Sequence, residues 1–234
     1  MRLDKFIASQ GKYSRSDVKR LIKQKAVTVD GEVAIRPEEQ VEPEKNEVAV
    51  LGEKISYKEH IYIMLNKPQG VVSATEDESQ KTVIDLIPAE LKRNGLFPAG
   101  RLDADTTGFV LVTDDGDFAH RILSPKNHIQ KTYIAELADP VTDEDINELE
   151  SGILLKDGSR CLPAEVRKIS DKKIEIKICE GKYHQIKRMF AARGNRVEKL
   201  NRSCMGKLEI DETLQPGECR EISREELAQI EKRE

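Results

Sequence analysis

The apolar run Phe109-Val110-Leu111-Val112 is entered through a charged loop with a glycine at each end, Gly100-Arg101-Leu102-Asp103-Ala104-Asp105-Thr106-Thr107-Gly108. The run reads as a strand that gives the loop a rigid backing. Glycine reaches backbone conformations closed to other residues, so the loop can turn sharply and bring its backbone close to a ligand. Asp103 is the residue on which the chemistry is placed. With Arg101 two positions before it, its carboxylate is read as a nucleophile, a general base or one half of an ion pair. An Asp in a Gly-bounded turn more often makes only local hydrogen bonds, so the loop alone leaves these readings open.

The chain of 234 residues suffices for one large domain, or for a small and a medium one each with its own core. No apolar run approaches the roughly 20 residues that a membrane span needs. The start, Met1-Arg2-Leu3-Asp4-Lys5, meets charge too early for a secretory signal, so the cytoplasm is the expected compartment, with no membrane partner. Cys161, Cys179, Cys204 and Cys219 form no Cys-x-x-Cys pair and read as reduced, buried thiols. His60, His120, His128 and His184 show no ligand spacing, and no metal is expected.

Charge is unevenly placed. Residues 1–26 hold eight Lys and Arg against two Asp, and residues 180–207 hold eight against two Glu. Each stretch is therefore +6, which with a total of −4 leaves −16 for the rest. Two basic patches on an acidic chain suggest a phosphate backbone contacted at two places; the alternative is two solvated helix faces.

Leu3, Phe6 and Ile7 fall at helical spacing, with Gly11 as a stop. Ser14, with Asp17 three residues on, reads as the capped start of a second helix. Val18, Leu21 and Ile22 form its buried stripe, while Arg15, Lys19, Arg20 and Lys23 share another face. Val27-Thr28-Val29, Asp30-Gly31 and Glu32-Val33 form a hairpin with a type I′ turn, and a further strand is expected from Glu47 to Leu51. The Arg-Leu-Asp-Lys start, the Ser-Arg-Ser helix and the Val-x-Val-Asp-Gly hairpin resemble the alpha-L RNA-binding domain named after a small-subunit ribosomal protein. The resemblance covers residues 1–57, and Gly52 to His60 reads as a linker to a second domain, 60–234.

In that second part, Ile61 to Leu65 reads as a buried strand ended by the turn cluster Asn66-Lys67-Pro68-Gln69-Gly70. Further on come a helix after Asp114-Asp115-Gly116, a strand from Gln130 to Leu137 carrying Tyr133, and a helix from Thr142 to Gly152. Strands are expected around Leu154, Val166 and Lys173 to Cys179. Glu180 to Gly194 reads as a helix with Ile186, Met189, Phe190 and Arg193 on its inner stripe. His184, Lys187, Arg188 and Ala191 lie on another stripe, near a helix start that favours anions. Ser223 and Glu226 read as the capping box of a short final helix. The fold class expected is α+β, with strands in the majority.

Gly100-Arg101-Leu102-Asp103-x-x-Thr106-x-Gly108, Lys131-x-Tyr133, and Gly181-x-x-His184-Gln185-x-Lys187-Arg188-Met189, with Asn66-Lys67-Pro68-x-Gly70 ahead of them, resemble the pseudouridine synthases. Together with the alpha-L module they cover nearly the whole chain, in the order of the ribosomal RNA branch of that family. Relatives acting on large-subunit RNA tend to carry Asn-Arg where this chain has Tyr183-His184. The form seen here resembles the small-subunit enzyme, which modifies one uridine of 16S rRNA, uridine 516.

The resemblance implies a mixed, mainly antiparallel sheet, no cofactor, and action on rRNA that is free or in an assembling particle; a monomer is the default expectation. It implies that Asp103 is the nucleophile, that Tyr133 stacks on the uracil, and that Lys187, with Arg188 as the other candidate, is the basic partner of Asp103. Arg101 is implied to fill the space left by the flipped nucleotide, with His184, Gln185, Arg188, Arg15, Lys19, Arg20 and Lys23 at the RNA. Three other readings stand beside it. One is a synthase acting on 23S rRNA, and another is an rRNA-binding assembly factor with no need of a reactive Asp loop. The third is a glycosidase or nucleosidase using Asp103 and Asp105 as a carboxylate pair.

Overall fold

The computed structural model describes residues 1–231. Two compact units emerge, Met1–Ile61 together with Ile87–Leu96, and Tyr62–Leu86 together with Phe97 onward.

The first unit follows its sequence signals closely. Helix α1 (Leu3–Ser9) precedes α2 (Arg15–Lys23), whose N-terminus is closed by a reciprocal capping box between Ser14 and Asp17. Such a cap satisfies amides that a helix start would otherwise leave unpaired. Strands β1 (Val27–Val29), β2 (Glu32–Val33), β3 (Val48–Val50) and β4 (Glu53–Lys54) form a small antiparallel sheet in the order β2-β1-β3-β4. The β1–β2 turn has positive φ at both Asp30 (52°) and Gly31 (84°), the geometry a two-residue hairpin requires. Leu3, Phe6, Ile7, Val18, Leu21 and Ile22 meet Val27, Val48 and Val50 in one buried cluster. The burial of each such side chain is worth about 1.5–3 kcal/mol. Arg15, Lys19, Arg20 and Lys23 remain exposed.

The stretch read as a linker, 52–60, is instead largely built into this unit. It holds β4, its Ile55 and Tyr57 pack on the core, and the Tyr57 ring stacks on Phe6 at 5.1 Å between centroids. The segment 87–96 joins it because the Arg93 guanidinium donates to the carbonyls of Lys58 and Glu59, at 3.0 and 3.2 Å. Sequence order gives no hint of that return.

The second unit is organised by strands β5 (Tyr62–Lys67), β6 (Phe97–Pro98), β7 (Thr107–Thr113), β8 (Lys131–Leu137), β9 (Glu165–Ser170), β10 (Lys173–Ile178), β11 (Val197–Met205), β12 (Leu208–Glu209) and β13 (Cys219–Glu221). Its helices are α3 (Gly116–Leu123), α4 (Asp143–Ser151), α5 (Gln185–Ala192) and α6 (Arg224–Glu231), with 3-10 turns at Ile84–Leu86 and Pro125–Asn127. The sheet order is β13-β5-β7-β11-β8-β10-β9, with β12 on β11 and β6 on β7. Only β7 and β11 run parallel; the other pairs are antiparallel. Met64, Phe109 and Leu111 from the sheet pack with Phe118, Ala119 and Ile122 of α3 and Ile230 of α6. Ser223 and Glu226 exchange the two hydrogen bonds of a capping box at the start of α6.

Strand β11, which joins the two halves of the sheet, is the element that sequence patterning does not announce. Its buried positions alternate at Leu200, Arg202 and Cys204, but the middle one is an arginine, so the apolar period of two is broken. Around Leu154 a single bridge to Arg160 stands where a strand was expected. Of the four cysteines only Cys161 and Cys204 are buried; Cys179 and Cys219 are half-buried. Among the described residues no helix is long and apolar enough to cross a membrane.

Candidate active site

Strand register brings the separated motifs together. Gly108 of β7 pairs with Arg202 of β11, and Arg202 pairs with Tyr133 of β8, so the end of the Asp103 loop and Tyr133 lie in one row across three strands. The approach at Gly108 is close. A Cβ there would lie 2.3 Å from the Arg202 carbonyl oxygen, and φ is +98°, so only glycine fits.

The loop ahead of β7 is held from behind by alternate residues. Ser73 exchanges hydrogen bonds with the backbone of Leu102, at 3.0 and 3.1 Å, and the Gly70 amide donates to the Ala104 carbonyl at 2.7 Å. The fully buried Lys67 ammonium donates to the carbonyls of Thr106 (2.8 Å), Pro68 (3.0 Å) and Ala104 (3.2 Å). Leu102 and Thr106 are thereby buried, while the carboxylates of Asp103 and Asp105 reach Lys187 on α5.

Helix α5 supplies the other wall. Ile186, Met189 and Phe190 are buried, which fixes the helix rotation and turns Lys187 to the loop. Lys187 Nζ lies 2.8 Å from Asp103 Oδ2 and 2.5 Å from Asp105 Oδ1, and His184 Nε2 lies 3.3 Å from Asp103 Oδ1. His184 precedes the helix in a left-handed conformation, φ 49°. Arg101, Asp103, Tyr133, His184, Gln185 and Lys187 all line a single cleft, with Leu102, Thr106 and Leu200 among its apolar and buried lining.

The electrostatics follow from these contacts. Burial works to lower the Lys187 pKa, but the hydrogen bonds and charges of Asp103 and Asp105 overcome it and hold the ammonium above its ordinary value. The Lys187 hydrogen bond in turn holds the Asp105 carboxyl below the usual range, against a smaller effect of burial. Behind the loop, burial pushes Lys67 down to about 8, against the pull of Asp105 and Asp103. Burial also brings Lys131, beside the Arg202 guanidinium, to about 8.

Two expected contacts have other uses. Gln185 is only 4% exposed; it accepts from the Lys182 amide at 2.9 Å and donates to Glu180 Oε1 at 2.6 Å, so its side chain closes the 180–185 loop in the wall of the cleft. Arg188 pairs with Asp157 and donates to the Tyr183 carbonyl at 3.3 Å, so Lys187 and not Arg188 touches Asp103. Arg15, Lys19, Arg20 and Lys23 belong to the other unit. The residues that sequence reading passed over are Asp105, as a second partner of Lys187, and Lys67. The signal for Lys67 is its place in the Asn-Lys-Pro-x-Gly cluster, which reads as a turn and belongs to the family resemblance but does not announce a buried ammonium.

A carboxylate held by a lysine at the edge of a tyrosine-lined cleft is equipment for covalent chemistry, and the small helical module with its basic helix suits a nucleic-acid substrate. Comparisons with known proteins agree. The RNA pseudouridylate synthase model matches residues 61–192, and the S4 domain model matches residues 1–46. The chain is 49% identical over 231 residues to the "Uncharacterized RNA pseudouridine synthase YtzG" of Bacillus subtilis, covering 97% of both chains. It is 43% identical over 234 residues to the "Ribosomal small subunit pseudouridine synthase A" of Escherichia coli, covering 98% of this chain and all of that one. A crystal structure of a pseudouridylate synthase superposes with a TM-score of 0.69 at 40% identity, covering 98% of this chain and 99% of that one. The chain belongs to the RNA pseudouridine synthase family. It is an enzyme of that family with an N-terminal S4 RNA-binding domain.

Proposed function

We propose that this enzyme converts one uridine of small-subunit rRNA to pseudouridine, with Asp103 as the nucleophile. The observation that carries the reading is Asp103 itself, set between Lys187 Nζ and His184 Nε2 in the cleft lined by Tyr133. The reaction breaks the bond between ribose C1′ and uracil N1, turns the base, and joins C1′ to C5. N1 ends with a proton and C5 gives one up, so the change is an isomerisation with no net oxidation. Asp103 attacks with the Lys187 ammonium 2.8 Å from its Oδ2, and the bond it forms is broken again before the product leaves, which returns the free carboxylate. Tyr133 stacks on the uracil in the cleft.

Reaching the base requires flipping it from its helix, at a cost of a few kcal/mol that backbone contacts offset. Arg101, exposed at the mouth of the cleft, fills the vacated space. Arg15, Lys19, Arg20 and Lys23 on the exposed face of α2 contact phosphates. The assignment to small-subunit rRNA is favoured by the full-length likeness to small-subunit enzymes, and within 16S rRNA uridine 516 is the position proposed. The protein acts in the cytoplasm as a monomer, on free rRNA or on an assembling particle. The test is to incubate the enzyme with 16S and with 23S rRNA and map the new pseudouridine. One modified position in 16S, at uridine 516, is the expected result, and modification confined to 23S overturns the substrate assignment.

A further inference from the structure

Tyr183 is 76% exposed, and among the described residues it is the one aromatic side chain with so open a surface. It is also held in place. Its ring stacks on His184, with 3.8 Å between centroids and 19° between planes. Its carbonyl accepts from Arg188, itself paired to Asp157, and the loop on which it sits is closed by Gln185 through the Lys182 amide and Glu180. A flexible loop would hide such a ring or let it wander. Here the backbone on both sides is tied down, so one face of the ring is covered by His184 and the other is presented.

The neighbours of Tyr183 in sequence, Lys182 and His184, both line the catalytic cleft, as does Arg101, which is exposed and makes no ion pair among the described residues. A nucleotide flipped into that cleft leaves the adjacent base without one of its stacking partners. An aromatic face at the mouth can replace that partner, because every base offers a π-face and stacking does not depend on base identity. The cost of ordering the ring has already been met in the free protein.

Resting on the reading that the cleft takes a uridine flipped from RNA, we infer that Tyr183 is the stacking platform for the base next to the target uridine, which flipping leaves without a stacking partner. The base extends the Tyr183–His184 stack into three layers. It thereby holds His184 against Asp103, which its Nε2 already approaches to 3.3 Å. Tyr133 and Tyr183 divide the work: the first, only 8% exposed, takes the reacting base inside the cleft, and the second takes its neighbour outside.

The experiment uses the full chain with the substitution D103N, so that the RNA is bound but not converted, and a 16S rRNA fragment with 2-aminopurine beside the target uridine. Flipping unstacks this probe and brightens it, whereas stacking on an aromatic ring quenches it. The expected result is quenching with Tyr183 and with Y183F, and a bright bound state with Y183A, whose affinity falls about 5- to 150-fold. In the active background the same loss falls on KM more than on kcat for Y183A, with Y183F close to the parent. Quenching that persists in Y183A, or a Y183F as impaired as Y183A, overturns the inference, because either removes the ring face from the contact. The binding arm needs no turnover, so failure of the catalytic reading and failure of this one remain distinguishable.

Discussion

Residues 1–26 and 180–207 each hold eight Lys and Arg against two acidic residues, yet the cations of α2 in the first stretch and those of the second have opposite surroundings. On α2, Arg15, Lys19 and Lys23 are exposed and form no ion pair among the described residues; Arg20 alone is tied, to Asp17. In the second stretch nearly every cation meets a carboxylate of its own chain. Lys187 takes Asp103 and Asp105, Arg188 takes Asp157, Arg193 takes Asp145 and Glu144, and Lys199 takes Glu136. Arg202 is buried in the sheet and donates to the Phe109 carbonyl at 2.7 Å. Equal charge counts thus describe one surface open to phosphate and one scaffold that builds a site. The difference lies in acidic residues far away in sequence, which charge summed over a window does not see.

Exchanging the behaviour of the two stretches is the way to break this comparison. K187M removes the cation shared by Asp103 and Asp105 and leaves two facing carboxylates without compensation. Single-turnover conversion is expected to fall about 100-fold or more, with K187R recovering part of the loss and the salt dependence of RNA binding unchanged. A shallower salt slope in K187M would show that Lys187 serves phosphate, the role proposed for the α2 cations. The double reversal K19E/K23E is expected to weaken RNA binding and to make the plot of log affinity against log salt shallower by about 1.5, as two lost phosphate contacts require. A slope equal to that of the parent would remove α2 from the interface.

A smaller effect separates cations that bind from cations that are buried. Lys67 and Lys131 each fall to about 8 in the folded chain from an ordinary 10.5. Below pH 8 both states carry the proton and burial costs its full amount. Above 8 the folded chain sheds protons that the unfolded chain keeps, so stability rises with pH. From pH 9 the buried Cys204 thiol, pushed up by burial to about 11, opposes that rise. Urea midpoints are therefore expected to increase between pH 8 and 9, and K131M to flatten part of the increase. A midpoint that falls over this interval contradicts the assignment. Smallest of all is S14A, which loses the capping box of α2 and about 1 kcal/mol, read as a lower melting temperature. Its effect on RNA affinity should be far below that of K19E/K23E.

Legibility from sequence differs along the same line. The first unit was readable because each of its signals is local: a stripe at helical spacing, a cap three residues long, an Asp-Gly turn. In the second unit the strands with apolar runs, β5 and β7, were equally plain. Strand β11 was not, because a buried arginine occupies its central inward position and its partners β8 and β7 lie about 60 to 94 residues earlier in the chain. At the site, Asp103, Tyr133 and Lys187 were named through motifs, and their meeting is a matter of register and helix rotation that no motif contains. Gln185 shows the limit. Its place in a motif gave its importance, but only its hydrogen bonds to Lys182 and Glu180 gave its use.

The most direct test of the account is tritium release from small-subunit rRNA labelled at uridine C5, measured with the parent enzyme and with D103N alongside RNA binding by both. The account predicts that the parent releases tritium and that D103N releases none while binding RNA with the same affinity and salt slope. Release by D103N at a rate near that of the parent would contradict it and remove Asp103 from the chemistry.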